Sequence, residues 1–339
     1  MKRYKYSTFV DTVKEFADKK IMVVGDLILD RYVWGKVSRI SPEAPVPVLL
    51  IDKEDSYVPG GGSNVASNLA ELGTEVFLVG AVGKDKNADR LKGELKKRRI
   101  NIDGVFQDAK RQTILKTRVM AYHHPYHQQV VRVDREDGHD ISDNLSGKII
   151  DYIKKKIRDV DALIVEDYGK GLMTSSLLEK IIDVAGKNKK IISVDPKENH
   201  FNMYKKVSVI TPNRYEAAKW VGRSLDNMNA VKWAGEKLLK DTKSDIILIT
   251  LGEEGMVVFQ KGNKPQHIPT LEKKDVFDVS GAGDTVVGVY TLSLASGASP
   301  VVSAHIANCA AGIVVTRTGT AVVGEQELLD RLKKEAGRK

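Results

Sequence analysis

The sequence has a single cysteine, few aromatic residues and no long hydrophobic run. Among its 339 residues Cys309 is the one cysteine, which precludes an internal disulfide and is typical of a reducing compartment. No apolar run approaches the roughly 18 residues that a membrane-spanning helix needs. The basic start, MKRYKYSTFVDTVKEF, lacks the apolar segment and cleavage site of a signal peptide. We therefore expect a cytoplasmic protein with no membrane partner.

The charge balance is basic, with 54 lysines and arginines against 45 acidic residues and a formal net charge of +9. Such a balance fits nucleic acid, a membrane surface or small anionic ligands about equally, so the distribution of the charge decides. In segments such as DRLKGELKKRR the lysines are interleaved with acids, as on solvated helix faces. Aromatic residues make up 6% and form no spaced stacking platform. We expect small phosphorylated ligands and no nucleic-acid partner.

Short apolar runs alternate with longer helical stretches, the pattern of a parallel β-sheet covered by helices. Several runs are hydrophobic throughout, as strands buried on both faces are. The predicted strands, of which these are a part, cover residues 21–25, 76–83, 162–166, 191–195, 207–211 and 246–250. Residues 45–58 and 113–134 have strand character without an intervening helix, so we assign them to a small antiparallel sheet. The sequence predicts one α/β domain over residues 1–339, with a β lid formed by insertions at about 35–58 and 112–134.

The strongest chemical signal is Gly281-Ala282-Gly283-Asp284, which begins a long helix rich in small residues. Glycines there let backbone N–H groups converge at a helix N-terminus, where the donors and the helix dipole favour an anion. A carboxylate beside an anion hole suits phosphoryl transfer to an alcohol, which needs a base for the hydroxyl proton. Asp284 could equally be a helix N-cap, and the spacing alone leaves both interpretations open.

A second glycine-rich segment, PGGGSNVASNLAELG, precedes another predicted helix. Gly61 and Gly62 permit close approach of backbone to a ligand, and Asn64 offers a donor and an acceptor to vicinal hydroxyls. A tight turn before a capped helix explains the motif as well. The first strand leads into Asp26 and then Asp30, at the edge where open α/β sheets bind ligands. Paired carboxylates suit sugar hydroxyls, although Asp26 could also be a turn residue and Asp30 a surface residue.

Asn213 and Glu216 stand where a strand passes into a helix, spaced to orient metal-bound water near phosphates. The same pair is an ordinary capping-box variant. The segment 249–255, ITLGEEG, either contacts nucleotide or is a hairpin turn. Neither a Walker A loop nor a GxGxxG dinucleotide fingerprint is present, which disfavours an NAD-dependent oxidoreductase.

Four basic side chains, Lys170, Lys197, Arg118 and Arg132, could contact anions at the sheet edge or from the lid, although the sequence alone favours a solvated side chain for each. Three histidines, His123, His124 and His127, lie in the turn-like YHHPYH without a nearby cysteine or acid. We do not predict a structural zinc site there. Cys309 lies in an apolar helix and is expected to be a small buried hydrophobe.

The two glycine motifs, GGGSNVASNLA and DVSGAGDT, resemble the signatures of the ribokinase/PfkB carbohydrate kinase superfamily. Within it, GDLILDRYVWG, SRISPEAPVPV, TPNRYEA and GIVVTRTGTA resemble the D-glycero-β-D-manno-heptose-7-phosphate kinases of ADP-heptose synthesis. The similarity runs in colinear order from about Met22 to about Val323. Two segments depart from the family pattern, which expects GG-A-x-N in place of GGGSN and a polar lid turn in place of YHHPYH.

The resemblance implies a ribokinase-like three-layer α/β/α fold with a mainly parallel central sheet and a small antiparallel β lid. It implies ATP-dependent phosphorylation of the anomeric hydroxyl of heptose 7-phosphate, a precursor step for lipopolysaccharide core, with Mg²⁺ as cofactor. A monovalent cation near Asp278 is a further cofactor to consider. The lid strands of this family pair with those of a second subunit, so a homodimer is expected. No HxGH motif follows, so we expect no nucleotidyltransferase domain in this chain.

The resemblance also implies roles for individual residues. Asp284 is the catalytic base, beside an anion hole made by the amides of Gly281, Ala282 and Gly283. The sugar phosphate is assigned to Asp26, Asp30, Gly61, Gly62, Asn64, Lys170, Lys197, Arg118 and Arg132. ATP is assigned to Asn213, Glu216, Thr250, Gly252, Gly255 and Asn308, with Glu216 reaching the metal through water. Two rivals remain open: a kinase of the same fold for another sugar, sugar phosphate or nucleoside, and a catalytically silent sugar- or nucleotide-binding regulator.

Overall fold

The computed structural model describes residues 4–123, 126–270 and 278–337. Its strands are β1 Lys20–Gly25, β2 Leu27–Ile40, β3 Pro47–Ile51, β4 Ser56–Gly61, β5 Glu75–Val82, β6 Asn101–Gln107, β7 Ile114–His123, β8 Tyr126–Arg135, β9 Ala162–Glu166, β10 Ile191–Asp195, β11 Val209–Ile210, β12 Ile246–Thr250, β13 Met256–Gln260 and β14 Gln266–Ile268. Its α-helices are α1 Tyr6–Lys14, α2 Gly62–Glu71, α3 Lys86–Lys97, α4 Asp143–Lys156, α5 Ser175–Lys187, α6 Arg214–Val221, α7 Met228–Thr242, α8 Ala282–Ala295, α9 Pro300–Val314 and α10 Glu325–Ala336.

The larger sheet has, within the described ranges, nine strands in the order β14-β13-β12-β11-β10-β9-β1-β5-β6. From β12 to β6 every neighbouring pair is parallel, and β13 and β14 add two antiparallel pairings at one edge. The predicted mainly parallel sheet is confirmed. One predicted strand is shorter than expected, because only Val209 and Ile210 of residues 207–211 pair as β11.

The core has two halves, one on each face of this sheet. In β1, Ile21 and Val23 pack on one side with helices α1, α2, α3, α8, α9 and α10. Met22 and Val24 pack on the other side with α4, α5, α6 and α7. Successive side chains of a strand point to opposite faces, so a strand covered by helices on both sides is apolar at most positions. The hydrophobic runs in the sequence therefore reflect the three-layer α/β/α arrangement.

The chain leaves the larger sheet at Asp26 and enters a second, smaller sheet. Here β2 pairs antiparallel with β3 and β4, and β7 pairs antiparallel with β8. The central pairing, β2 with β7, is parallel. The smaller sheet begins at Leu27, earlier than the expected boundary near residue 35, because β2 is a long strand whose first residues are buried and whose last five are exposed.

Among the residues that the structure describes, no helix combines the length and the apolar character needed to cross a lipid bilayer. Cys309 lies in α9 and is 2% exposed, as the sequence predicts for a small hydrophobic side chain.

Candidate active site

Three acidic residues meet at one edge of the larger sheet because their strands are parallel and adjacent. Asp26 follows β1, Glu166 ends β9 and Asp195 ends β10. The strand register places Glu166 level with Gly25 on one side and with Asp195 on the other. The carboxyl ends of parallel strands are where open α/β sheets bind ligands. The N-terminus of α8 lies at the same edge, since its first turn brings Asp284 to Glu166 and Asp195.

Asp284 is buried and held by two donors. The Asn64 amide Nδ2 donates to its Oδ2 at 2.7 Å, and the Tyr168 hydroxyl donates to its Oδ1 at 2.8 Å. Burial raises the pKa of the Asp284 carboxyl above its ordinary value, and the two hydrogen bonds partly oppose that rise. The N-cap of α8 is Gly281 and no side chain caps this helix end. The alternative that Asp284 serves as an N-cap is therefore wrong.

Gly281 must be glycine for two reasons. Its φ is +78°, in the left-handed region that other L-residues rarely adopt. A Cβ atom at this position would also lie 2.5 Å from the Asn64 Nδ2 atom that orients Asp284. Of the three amides assigned to the anion hole, that of Ala282 donates to the Val279 carbonyl at 3.3 Å. Binding of an anion by this turn stays a prediction.

A cavity of about 220 Å³ lies beside Asp284. Its lining comes from the predicted base region, the predicted nucleotide region and two strand ends. It includes Tyr168, Asp195, Lys197, Thr211, Asn213, Glu216, Thr250, Gly281, Gly283 and Asp284. The fold thus brings together residues as far apart in the chain as Tyr168 and Asp284, which are separated by 116 positions.

Asp26 is buried and organises the loop that follows β9. Its Oδ2 accepts from the backbone N–H groups of Tyr168 and Lys170, each at 3.1 Å. Its Oδ1 is buried without a hydrogen-bond partner among the described residues. Burial, followed by the charge of Asp167, raises the pKa of Asp26 to about 6. Asp26 is therefore more than a turn residue, and its free oxygen is suited to a ligand hydroxyl.

Asp167 holds the same loop through three further contacts. It accepts from the Gly169 N–H at 2.8 Å and from the Tyr204 hydroxyl at 2.6 Å, and His200 Nδ1 lies 2.6 Å from its Oδ2. The hydrogen bond to Asp167 raises the pKa of His200. These contacts position the segment that presents Tyr168 to the base.

The four predicted phosphate-binding side chains are placed differently. Arg118 is buried in an ion pair with Asp30, so Asp30 is a buried residue rather than a surface one. Ion pairs also join Lys170 to Glu136 (2.6 Å) and Arg132 to Asp134 (2.9 Å). Lys197 lines the cavity; burial raises the pKa of Glu216, and the charge of Lys197 partly opposes that rise. Arg118 is therefore not a solvated side chain, whereas Arg132 is exposed, and the role of all four toward a phosphate stays a prediction.

Lys116 was not identified from the sequence. Its ammonium lies 5.1 Å from the centre of the Tyr168 ring, and burial lowers its pKa. The charge of Asp30 opposes that decrease, and the charge of Lys116 in turn lowers the pKa of Asp284. A cation so close to the base was not apparent because Lys116 lies inside a strand, where its side-chain direction depends on the β2–β7 register.

Asn213 and Glu216 form a reciprocal capping box at the start of α6 and also line the cavity. The capping-box interpretation is therefore confirmed, and contact with nucleotide or with metal-bound water stays a prediction. Thr250 lines the same cavity beside Asn213. Gly252 and Gly255 form the turn between β12 and β13, so the hairpin interpretation of this segment is confirmed.

Three further predicted positions contribute to loop structure. The Asn308 amide donates to the Pro269 carbonyl at 2.9 Å. Asp278 accepts from the N–H groups of Ser280 and Gly319, at 2.8 and 2.9 Å, and so joins two loops. Their proposed contacts with ATP and a monovalent cation stay predictions. Of the lid histidines, His127 packs edge-on against Trp34 at 5.4 Å, whereas His124 lies outside the described residues.

Glu166, Asp195 and Asp284 form a carboxylate cluster whose potential ligand atoms lie within 4.8 Å of one another. Burial, with the charge of Asp195, raises the pKa of Glu166 well above its ordinary value. Burial, with the charge of Glu216, raises the pKa of Asp195 to about 8. Both Glu166 oxygens are buried without a hydrogen-bond partner in the part of the chain described. This donor set fits a hard divalent cation such as Mg²⁺. The sequence analysis did not identify Glu166 or Asp195 as site residues, although each ends a predicted strand.

Comparison with known proteins agrees with this arrangement. The family model described as pfkB family carbohydrate kinase matches residues 18–326. The chain is 41% identical over 321 residues to the bifunctional protein HldE of Desulfatibacillum aliphaticivorans. The match covers 95% of this chain and 64% of that protein. This chain is 40% identical over 310 residues to the bifunctional protein HldE of Helicobacter pylori strain G27, a match that covers 91% of this chain and 65% of that protein. The chain thus spans less than two thirds of the length of these relatives.

Solved structures show the same fold at lower identity. Phosphofructokinase-2 from Escherichia coli in complex with substrates and products matches with a TM-score of 0.76 at 19% identity, over 93% of this chain and 98% of that one. Arabidopsis thaliana ribokinase complexed with ribose and ATP matches with a TM-score of 0.71 at 19% identity, over 93% of this chain and 99% of that one. With its ribokinase-like fold and a family match over nearly its whole length, this chain belongs to the pfkB family of carbohydrate kinases.

Proposed function

We propose that the protein uses ATP and Mg²⁺ to phosphorylate the anomeric hydroxyl of D-glycero-β-D-manno-heptose 7-phosphate, giving heptose 1,7-bisphosphate. The reaction would serve ADP-heptose and lipopolysaccharide core synthesis in the cytoplasm. Two lines support the substrate class: the heptose-kinase motifs of the sequence and relatives named HldE at about 40% identity. The observation that carries the chemistry is the buried Asp284, oriented by two donors beside a cavity.

In the proposed reaction Asp284 accepts the proton of the anomeric hydroxyl while that oxygen forms a bond to the γ-phosphorus. The bond between the γ-phosphorus and the bridging oxygen of ADP breaks, and ADP carries away the electron pair. Asn64 and Tyr168 keep the carboxylate of Asp284 in place. The N-terminus of α8 and its glycine turn would face the phosphoryl group and stabilise its negative charge.

Mg²⁺, when bound, would neutralise charge on the phosphates of ATP. Glu166 and Asp195 would hold it, with Glu216 acting through water. Lys197 lies in the same cavity and would contact phosphate oxygens. On the sugar side, the unpartnered Oδ1 of Asp26 and the amide of Asn64 would bind hydroxyls. We also propose that the smaller sheet acts as a lid that excludes water from the sugar.

The test is ADP release by the purified protein with Mg²⁺ and ATP, comparing heptose 7-phosphate with ribose, fructose 6-phosphate and a nucleoside. Strong turnover with the heptose phosphate alone is expected. Preference for another acceptor would overturn the substrate while leaving a kinase of this fold, and no turnover with any acceptor would favour a silent binding protein.

Asp284→Asn should reduce turnover by about 10²- to 10⁴-fold and leave nucleotide affinity nearly unchanged, because the amide cannot accept the hydroxyl proton. Asp161→Asn is a matched control, since Asp161 accepts a backbone N–H from Lys20 at the opposite end of β1. Wild-type turnover in the Asp284 variant would refute the assignment of the base.

We further propose that the smaller sheet pairs with the same sheet of a second copy. Its β2, β3 and β8 strands expose large apolar side chains, at 44–62% of their surface: Val37, Ile40, Leu50, Ile51, Val131 and Val133. An exposed apolar sheet favours burial against another sheet. Light scattering should give the mass of two chains for the wild type and of one chain for Val133→Asp. Trp233→Asp, on α7, is the control, and a monomeric wild type would contradict the proposal.

A further inference from the structure

Two loops at the site carry side chains that the proposed reaction uses. The β9 loop, residues 167–174, follows β9 and presents Tyr168, whose hydroxyl donates to Asp284. The β10 loop, residues 196–208, follows β10 and carries Lys197, which lines the cavity. Both loops lie outside the sheet, so the placement of these two side chains depends on the contacts that hold the loops.

One carboxylate joins the two loops. The side chain of Asp167 is fully buried, and its Oδ1 accepts the Gly169 N–H of its own loop at 2.8 Å. Its Oδ2 contacts two groups of the β10 loop, the Tyr204 hydroxyl at 2.6 Å and the His200 Nδ1 atom at 2.6 Å. An ionised carboxylate only accepts hydrogen bonds, so both of these groups donate to it. His200 and Tyr204 therefore connect the β10 loop to the β9 loop through Asp167.

His200 and Tyr204 differ in what else they do. Tyr204 is fully buried in the core, and its hydroxyl also accepts the Lys197 N–H at 3.0 Å. His200 lies in a single 3-10 turn, Glu198–His200, which contributes no buried residue. Its side chain is 17% exposed and has no other hydrogen bond among the described residues. The contact with Asp167 is thus the reason that the structure offers for a histidine here.

The two loops also touch directly at Gly169. Its φ is +65°, and a Cβ atom there would lie 3.2 Å from the Lys197 Cγ atom. The stem of Lys197 therefore packs against the residue that follows Tyr168. A shift of the β10 loop would move Lys197 relative to the segment that orients the base.

Acidic groups from three parts of the chain favour the charged form of His200. The hydrogen bond to Asp167, together with the charges of Asp167, Asp140 and Asp26, raises the pKa of His200, and burial opposes the rise. A protonated ring makes a charge-assisted hydrogen bond, which is shorter and stronger than a neutral one. The acids therefore strengthen the contact between the loops.

We propose that His200 is a positioning residue, which through Asp167 holds the β9 and β10 loops together. In this role it keeps Tyr168 on the base and Lys197 in the cavity, without itself contacting a substrate. The inference rests on the proposed function for the roles of these two side chains in the reaction.

Steady-state kinetics with ATP and heptose 7-phosphate tests the role. His200→Ala should lower kcat about tenfold or more, because a hydrogen bond to a charged group is lost and the base loses alignment. It should also raise the KM for ATP, because Lys197 loses its support. His200→Asn should lose less than His200→Ala, since the asparagine amide can donate from near the position of Nδ1.

His305→Ala is the matched control. The His305 Nδ1 atom lies 2.8 Å from Glu335 Oε1 in a comparably buried pair, and its ring packs against Tyr4 and Phe9, outside both loops. The variant should lose stability and keep the wild-type kcat and KM. A role of His200 in stability alone predicts the same result for His200→Ala, so wild-type kcat and KM in that variant would overturn the inference.

A double-mutant cycle shows whether His200 acts through Tyr168. If it does, His200→Ala should reduce kcat by a smaller factor in the Tyr168→Phe background than in the wild type, because the contact it supports is already lost. Equal reductions in the two backgrounds would overturn the inference.

Hydrogen–deuterium exchange of the loop amides provides a measurement that does not depend on turnover. His200→Ala should accelerate exchange in residues 167–174 and 196–208, and His305→Ala should not. Unchanged exchange and kinetics in His200→Ala, with a wild type that turns over heptose phosphate, would overturn only this inference. Faster exchange in both loops, with no turnover by the wild type on any sugar, would overturn the proposed reaction and leave the contact between the loops.

Discussion

Replacing Gly281 by alanine should both destabilise the protein and impair the base. Gly281 begins α8 at a φ of +78°, and a Cβ there would lie 2.5 Å from the Asn64 side-chain nitrogen. The left-handed backbone costs alanine about 1–2 kcal/mol relative to glycine. The displaced Asn64 would lose its 2.7 Å hydrogen bond to Asp284, and a hydrogen bond to a charged group contributes about 1.5–3 kcal/mol.

Together these effects predict a loss of about 2.5–5 kcal/mol in the free energy of unfolding. Turnover should fall about 10²-fold, because misplacing a reacting group by about 1 Å has that effect. Urea denaturation followed by circular dichroism measures the first quantity, and ADP release with saturating substrates measures the second.

Gly283→Ala is the matched control for stability. Gly283 lies two residues further on, in the first turn of α8, and a Cβ there would meet no atom within 4 Å. Alanine should be neutral or stabilise the helix by up to about 1 kcal/mol. Equal stability of the Gly281 and Gly283 variants would refute the argument from the left-handed backbone and the Asn64 contact.

Three further outcomes follow from the same structure. Tyr168→Phe removes a donor that lowers the pKa of Asp284, so the acidic limb of the pH profile of kcat/KM should move to higher pH. The pKa of Asp26 is about 6 in the folded protein and lower in the unfolded chain, so its protonated form stabilises the fold at low pH. This contribution is lost as the pH rises from about 4 to about 6. The resulting decrease in the free energy of unfolding should be smaller in Asp26→Asn. Gly235→Ala should destabilise by about 1–3 kcal/mol in urea, because its Cβ would lie 2.3 Å from the Phe259 ring.

Controls sharpen each of these measurements. Tyr152→Phe removes a hydroxyl that contacts Asn101, remote from the base, and should leave the pH profile unchanged. Asp103→Asn, at an exposed residue, should keep the wild-type pH dependence of stability. Gly147→Ala, in α4 with no atom within 4 Å of the added Cβ, should stabilise by about 0.5–1 kcal/mol. Three results would contradict the corresponding arguments: an unshifted pH profile in Tyr168→Phe, a wild-type pH dependence of stability in Asp26→Asn, or wild-type stability of Gly235→Ala.

The central strands of the larger sheet were predictable because they are mostly apolar, which follows from helices on both faces. The strands β6, β13 and β14 were not among those predicted. The smaller sheet was predictable in part. Only Asp26 separates the end of β1 from the start of β2, the first strand of the smaller sheet. No turn sequence precedes LILDRYVWGKVSRI to indicate that a new strand begins there. The parallel pairing of β2 with β7 joins segments far apart in the chain, and no local pattern indicates it.

The candidate base was recognisable because glycines at a helix start and an acid in its first turn are adjacent in sequence. The groups that control this base were not. The family resemblance assigns Asn64 to the sugar, and the structure shows that its amide also orients Asp284. Tyr168 and Lys116 carried no motif, since an aromatic residue in a loop and a lysine in a strand have many ordinary roles.

By itself, the sequence determined the alternation of strands and helices, the two glycine turns and the residues able to accept a proton or bind phosphate. These properties depend on neighbours within a few residues, through hydrophobic period, backbone freedom and side-chain chemistry. The tertiary structure alone decided which acids meet. The order β10-β9-β1 places Asp195, Glu166 and Asp26 at one edge, and α8 brings Asp284 to them. Convergence of strand ends depends on sheet order and register, which are set by packing of the whole chain.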